Sequence, residues 1–246
     1  MSLTPSPAGS FQLASNEVHW WCANLDVPPE TSARLFATLT RDERSRSSRF
    51  RFERDQQRFI VAHGVLRDVL GCYLETKPRE ITFACNAFGK PDLSPVFRSR
   101  LKFNLSHSAG LALIAIAADS NVGVDLECIQ AQCDYAEIAR RFFSPVEIAQ
   151  LHALPSHLYA EAFFNCWTKK EAYLKARGEG LSIPLNSFSV PLTTDSAHTP
   201  VDLYGWSLYT LRPAPGYAGA LAIEGTGWRL RQWQWKENNR GKSRNG

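Results

Sequence analysis

The order of elements in this 246-residue sequence predicts an α+β fold in two halves. Helical periodicity comes first, then strands, then helices, then strands again. The late strands alternate apolar and polar residues, as antiparallel sheets with one covered face do. Between the first strands and the second helices, Asp119-Ser120-Asn121 supplies turn chemistry. Residues 17–120 and 121–235 are therefore expected to form an N-terminal and a C-terminal α+β half. Residues 1–16 read as a loose N-terminus and 236–246 as a disordered polar tail.

His19 to Ala23 is a short apolar strand, and Thr31 to Leu39 suits a helix after Pro28-Pro29. Arg41 to Leu74 carries one long helical pattern, with Phe59, Ala62, Leu66, Val69, Leu70 and Tyr73 on a single apolar stripe. Ile81 to Ala84 reads as a strand, followed by a turn over Asn86 to Pro91. Leu101 to Leu105 and Leu111 to Ala118 read as neighbouring strands joined by a loop that contains Ser106-His107-Ser108. Val122 to Glu127 is another strand. Ser144-Pro145-Val146-Glu147 has the marks of a helix start: a capping Ser, then Pro, then Glu three residues on. Ser156 to Arg177 forms a long helix, stopped by Gly178 in a left-handed conformation. Phe188 to Pro191, Trp206 to Leu211, Tyr217 to Glu224 and Trp228 to Trp235 complete the chain as antiparallel strands.

Composition excludes several classes of protein. With 44% hydrophobic and 21% charged residues the chain is an ordinary globular one. A net charge of +4 suits an anionic ligand or an acidic partner and is too small for a dedicated nucleic-acid binder. The N-terminus has no basic and apolar leader pattern, and the apolar run Leu111 to Ala118 is far short of the ~20 residues that span a bilayer. Cys22, Cys72, Cys85, Cys128, Cys133 and Cys166 show neither a C-x-x-C pair nor a zinc spacing, so free thiols in a reducing cytoplasm are expected.

Three segments carry chemistry. In Gly123-Val124-Asp125-Leu126-Glu127, positions two apart on a strand share a face, so Asp125 and Glu127 project together while Val124 and Leu126 enter the core. Adjacent carboxylates suit Mg²⁺, which takes a few carboxylates and fills its shell with water and phosphate. Taken alone, such a pentapeptide is more often a solvated edge strand. In the helix from Trp167 to Ala176, Trp167, Glu171 and Lys175 lie on one face. Glu171 and Lys175 form an ordinary helix pair by spacing, yet Trp167, Ala172 and Leu174 mark a buried helix, where charges are seldom left unpaired. Ser106-His107-Ser108 offers two hydroxyls and an imidazole to phosphate oxygens. A hydrolase triad on Ser106 and His107 is disfavoured, because sequence neighbours seldom face each other and there is no G-x-S-x-G elbow.

Together and in this order, these segments resemble the signature of the 4′-phosphopantetheinyl transferase superfamily, in its larger monomeric class that activates surfactin synthetase and related carriers. The matching stretches are Phe88-Gly89-Lys90-Pro91, Phe103 to Ser108, Gly123 to Glu127, Arg141-Phe142-Phe143-Ser144, and Trp167 through Gly180-Leu181, within roughly residues 41–190. The resemblance implies two similar α+β halves with the active site in the cleft between them. It implies that Asp125, Glu127 and Glu171 hold Mg²⁺ against the pyrophosphate of coenzyme A, with Glu171 also activating the serine of an apo carrier protein. It further implies that Lys175 and His107 contact the pyrophosphate and that Lys90 helps bind coenzyme A, and Ser106 is counted with the coenzyme-binding residues. Thr168 stands where Ser is frequent and keeps the hydroxyl. The basic segment that grips the 3′-phosphate is harder to register: Arg44, Arg49, Arg51, Arg54 and Arg58 are candidates, and Arg58, at the head of the apolar stripe, is the best choice.

The expected reaction moves 4′-phosphopantetheine from coenzyme A to a carrier serine of a fatty-acid, polyketide or non-ribosomal peptide synthase and releases 3′,5′-ADP, in a cytoplasmic monomer with no membrane or nucleic-acid partner. One rival is a Mg²⁺-dependent phosphoryl or nucleotidyl enzyme acting on a small molecule. Another is a non-catalytic protein- or RNA-binding module using the aromatic segment with Trp228, Trp233 and Trp235.

Overall fold

The computed structural model describes residues 11–130, 135–192 and 199–237. Cys133, most of the N-terminus read as loose and most of the polar tail lie outside the described residues. Strand β1 (Glu17–Asn24) is followed by helices α1 (Pro29–Thr38), α2 (Arg41–Ser47) and α3 (Glu53–Leu74). A small hairpin, β2 (Phe83–Cys85) and β3 (Pro91–Leu93), precedes β4 (Leu101–Ser108), β5 (Leu111–Ala118) and β6 (Val122–Cys128). Helices α4 (Tyr135–Phe142), α5 (Pro145–His152) and α6 (Ser156–Arg177) lead to β7 (Val201–Leu203), β8 (Trp206–Leu211), β9 (Tyr217–Glu224) and β10 (Arg229–Gln234). The fold is α+β, as expected.

Strand alternation builds four layers. One sheet has the order β10-β1-β5-β4 and the other β6-β9-β8-β7. In β5, Ala112, Ile114 and Ile116 pack with Trp21 and with Val61, Val65 and Val69 of α3. The alternate residues Leu113, Ala115 and Ala117 instead meet Val122, Val124 and Leu126 of β6 and Leu221 of β9. Both faces are covered, which is why β5 reads as one unbroken apolar run. Beyond the second sheet, Phe163, Cys166, Ala172 and Tyr173 of α6 close on Leu208, Ala220 and Ala222. The order is α3, sheet, sheet, α6. Asp119, with φ of 59°, turns the chain from β5 in the first sheet to β6 in the second.

Several details differ from the sequence reading. The long pattern from Arg41 to Leu74 breaks into two helices. Thr40 and Glu43 form a capping box on α2, and Phe52, in extended backbone, precedes α3. The segment Ser106-His107-Ser108 is strand rather than loop, because β4 runs on to Ser108 and pairs with Leu111 across a two-residue connection. Phe188 to Pro191 forms no strand. Its backbone is satisfied by buried side chains: Lys170 Nζ donates to Phe188 O at 2.6 Å, Lys169 Nζ to Pro191 O at 2.6 Å, and Val190 N to Glu147 Oε1 at 2.8 Å.

The last strand is the largest correction. β10, assigned from sequence to the 121–235 half as an antiparallel strand, pairs parallel with β1 in the first sheet. Its aromatics draw it there. Trp233 stacks on Trp21 with ring centroids 5.7 Å apart, and Phe11 meets both rings edge-on. Phe11, inside the stretch read as loose, is therefore packed. Trp233, Trp235 and Trp228 pack against buried clusters instead of forming an open stacking platform. Among the described residues, no helix is long and apolar enough to cross a membrane. None of the described cysteines Cys22, Cys72, Cys85, Cys128 and Cys166 forms a disulfide.

Candidate active site

The edge strand β6 lies against helix α6, and Gly123 permits it. A Cβ there would stand 2.2 Å from the Ala172 carbonyl oxygen and 2.3 Å from the Ala176 nitrogen, both fixed backbone atoms. Two residues on, Asp125 and Glu127 leave β6 on the same side as Gly123, toward α6. One turn apart on α6, Glu171 and Lys175 face them. Val124 and Leu126 enter the core, as the strand alternation requires.

Lys175 Nζ donates to Asp125 Oδ1 at 2.5 Å and to Ser106 Oγ at 3.0 Å, and Ser106 Oγ donates to Asp125 Oδ1 at 3.0 Å. Ser108 Oγ donates to Glu127 Oε2 at 2.9 Å. Both hydroxyls, read from sequence as phosphate donors, thus hold carboxylates. Asp125 is only 4% exposed, and its Oδ2 is buried with no partner. The pKa of Glu171 is raised by burial and then by Asp125, with Glu127 adding to it. Glu127 is raised by burial and then by Asp125. The three carboxylates therefore crowd one another with a single close ammonium between them.

His107 and Arg58 stand apart from this group. Alternation along β4 sends His107 to the face opposite Ser106 and Ser108. Its ring is still reached by water. The surrounding protein, then the charges of His63 and Lys175, push its pKa down to about 4, so the imidazole is neutral near neutrality. Arg58 grips Asp26 with both arms of its fork, Nε to Oδ1 at 2.9 Å and Nη2 to Oδ2 at 3.0 Å. Lys90 donates to Val122 O at 3.1 Å and Ala176 O at 2.9 Å, tying the Asn86–Pro91 turn to β6 and to the end of α6. Burial lowers the pKa of Lys90 to about 8. Asn86 adds a second tie, donating from Nδ2 to Gly178 O at 2.7 Å.

A cleft of about 330 Å³ opens beside Lys90, Glu171 and Lys175, and Asp125, Glu127, His107 and Arg58 are not among its lining residues. Phe88, Gly89, Lys90 and Pro91 form one wall, Asn104 and Leu105 another, and Glu171, Leu174, Lys175, Gly178 and Gly180 a third. The cleft thus lies where elements of the first sheet's half meet α6.

Comparison with known proteins decides the family. The model described as the 4′-phosphopantetheinyl transferase superfamily matches residues 121–221, and that of the 4′-phosphopantetheinyl transferase N-terminal region matches 28–120. The 4′-phosphopantetheinyl transferase HetI of Nostoc sp. is 39% identical over 232 residues, covering 94% of this chain and 97% of its own. The chain belongs to the 4′-phosphopantetheinyl transferase superfamily. The transferase Sfp of Bacillus subtilis is 29% identical over 195 residues, 78% of this chain and 85% of its own. A putative 4′-phosphopantetheinyl transferase of Synechocystis sp. is 36% identical over 150 residues, 61% of each chain.

In this transferase the carboxylates fit a hard divalent cation on their own chemistry. Oxygen donors only, one buried carboxylate oxygen without a partner, and two carboxyl groups whose pKa values rise through burial and then through the charge of Asp125 suit such an ion. No group of three or more His, Cys, Asp or Glu side chains stands in ligand geometry among the described residues. The close cation is instead the Lys175 ammonium on Asp125.

Sequence reasoning missed four residues of this transferase site: Asn104, whose Oδ1 accepts from Val124 N at 2.9 Å, Asp26, Asn86, and the steric role of Gly123. Recognising β4 as strand through Ser108 would have put Asn104, Ser106 and Ser108 on one face and found the first.

Proposed function

We propose that this protein transfers 4′-phosphopantetheine from coenzyme A to a serine of an apo acyl or peptidyl carrier protein, releasing 3′,5′-ADP, with Mg²⁺ held by Asp125, Glu127 and Glu171. The observation that carries this reading is the meeting of those carboxylates with Lys175 beside the cleft, in a chain of this superfamily. The names of its relatives support the transfer itself.

When bound, the cation would supply Lewis-acid stabilisation of the diphosphate oxygens. The chain's own groups do the remainder. As the carrier serine oxygen attacks the β-phosphorus of coenzyme A, Glu171 accepts its proton, and a raised pKa makes Glu171 a stronger base than an exposed glutamate. The bond from that phosphorus to the leaving 3′,5′-ADP oxygen breaks, and Lys175 meets the charge that develops there. His107, neutral, donates one N–H to phosphate rather than a full charge. Lys90 spends two of its three donors on carbonyls and has one left for the coenzyme. Arg58 keeps Nη1 for the 3′-phosphate while Asp26 orients the fork. The setting is a cytoplasmic monomer in which the half 17–120, its sheet completed by β10, meets the half that begins at residue 121.

Mass spectrometry of an apo carrier protein incubated with the enzyme, coenzyme A and Mg²⁺ tests this. The carrier is expected to gain one phosphopantetheine, and a chelator should prevent it. A carrier left unmodified would sink the reading. Release of 3′,5′-ADP without any carrier would point instead to a small-molecule phosphoryl enzyme.

A further inference from the structure

β4 and β6 are facing edges of two different sheets. Neighbouring strands ordinarily meet through backbone N–H and C=O groups. Here alternate side chains of β4 take that part. Asn104 Oδ1 accepts the Val124 N–H at 2.9 Å and Ser108 Oγ accepts the Cys128 N–H at 3.1 Å, each across an offset of 20 residues. Between them, Ser106 Oγ reaches the Asp125 carboxylate at 3.0 Å. The two N–H groups lie on one edge of β6, so a slip of the strand would break both contacts and rotate Asp125 and Glu127 away.

Ser108 has a second task. Its hydroxyl carries one donor and two acceptor lone pairs, so it can take the Cys128 N–H and also donate to Glu127 Oε2 at 2.9 Å. Glu127 needs such a tether. A long flexible side chain left untied gains freedom by swinging into water.

We infer that Ser108 is a positioning residue of the transfer reaction: its hydroxyl fixes the Glu127 carboxylate beside Asp125, while Asn104 sets the register of the strand that carries both. The inference rests on the reading of these acids as cation ligands and adds residues that act through them. Outer partners of metal ligands alter affinity on the order of 10–100-fold when removed.

The test titrates magnesium chloride alone into the parent, Ser108→Ala and Ser108→Thr proteins by calorimetry, beside steady-state kinetics and melting curves. Ser108→Ala is expected to bind Mg²⁺ about 10–100-fold more weakly and to lose kcat, with KM for coenzyme A within about twofold of the parent. Ser108→Thr keeps the hydroxyl and should restore both. In a Glu127→Gln background, Ser108→Ala should cause no further loss of Mg²⁺ affinity. If the Ala variant does not stay folded, Ser108→Cys, similar in size with a weaker donor, reads the same loss. A Ser108→Ala protein with a lowered Tm but parental Mg²⁺ affinity would make the residue merely structural and overturn the inference. A parent that binds no Mg²⁺ would overturn the metal reading itself, and this inference with it. A parent that binds Mg²⁺, beside an Ala variant that binds it equally, would overturn this inference alone.

Discussion

Glu171 carries the sharpest expectation at the scale of single residues, because its chemistry and its effect on stability oppose each other. Its folded pKa is raised, by burial first and then by Asp125 and Glu127. A carboxyl with a raised folded pKa stabilises the fold fully below its unfolded pKa, and that contribution is lost as pH rises through the folded value. Without metal, Glu171→Gln should therefore melt above the parent near neutral pH, and the two curves should converge in acid, where the parent is protonated. The same variant should bind coenzyme A with modest loss yet transfer very slowly, its residual rate rising with pH. A Gln variant that turned over normally would remove Glu171 as base. Lys175 and His107 offer a second comparison. Replacing either with Ala is expected to lower kcat/KM on the order of 10²–10³. Less than about a threefold change for both would contradict their assignment. Glu171 and Lys175 were legible in the sequence because helix spacing places them on one face, whereas His107 was read in a loop and stands on the face of β4 opposite Ser106 and Ser108. The bonds from Ser106 and Ser108 to carboxylates were not legible, since spacing says nothing about which partner a hydroxyl meets.

Between elements, the contact of β6 with α6 decides whether the carboxylates meet. Gly123→Ala would drive a methyl into the backbone of Ala172 and Ala176, and neither atom can swing aside. Such overpacking costs about 1–3 kcal/mol, which for a chain of this size lowers Tm by roughly 2–4 °C per kcal/mol. More telling, the helix must move outward and carry Glu171 and Lys175 away from Asp125. Transfer should fall well beyond the loss of folded protein, measured where the variant is still native. Parental rate and Tm together would refute this close-packing argument. A second element contact is structural. Lys170 and Glu147, both 0% exposed, pair at 2.9 Å, and the pair holds the 185–190 segment through Leu185 O, Phe188 O and Val190 N. Removing one partner of a buried pair costs about 3–5 kcal/mol, so Glu147→Ala should show a large drop in denaturation midpoint. A midpoint within error of the parent would show that the segment does not depend on the pair.

For the whole molecule, the parallel pairing of β10 with β1 means that the first sheet is completed by the end of the chain. A fragment ending at residue 120 lacks that strand and the Trp233 ring stacked on Trp21. It also loses the β6 face that covers Leu113, Ala115 and Ala117. The fragment is therefore expected to show no cooperative melting alone and to regain it on mixing with residues 121–246. A sharp transition in the isolated fragment, followed by circular dichroism, would establish an independent half instead.

By itself, the sequence determined the α+β class, the capping box at Ser144, the left-handed stop at Gly178 and the shared strand face of Asp125 and Glu127. All of these depend on spacing within one element or on one local conformation, which chain periodicity encodes directly. The tertiary structure alone decided that Lys175 sits on Asp125, that Asn104 and Ser108 bind the edge of β6, and that β10 crosses to β1. The 188–191 segment, apolar enough to pass for a strand, was likewise claimed by Lys169 and Lys170 from another element. Each of these is a contact between residues distant in the chain. Such a contact is selected by which buried donors, acceptors and apolar faces remain to be satisfied after the local elements have formed.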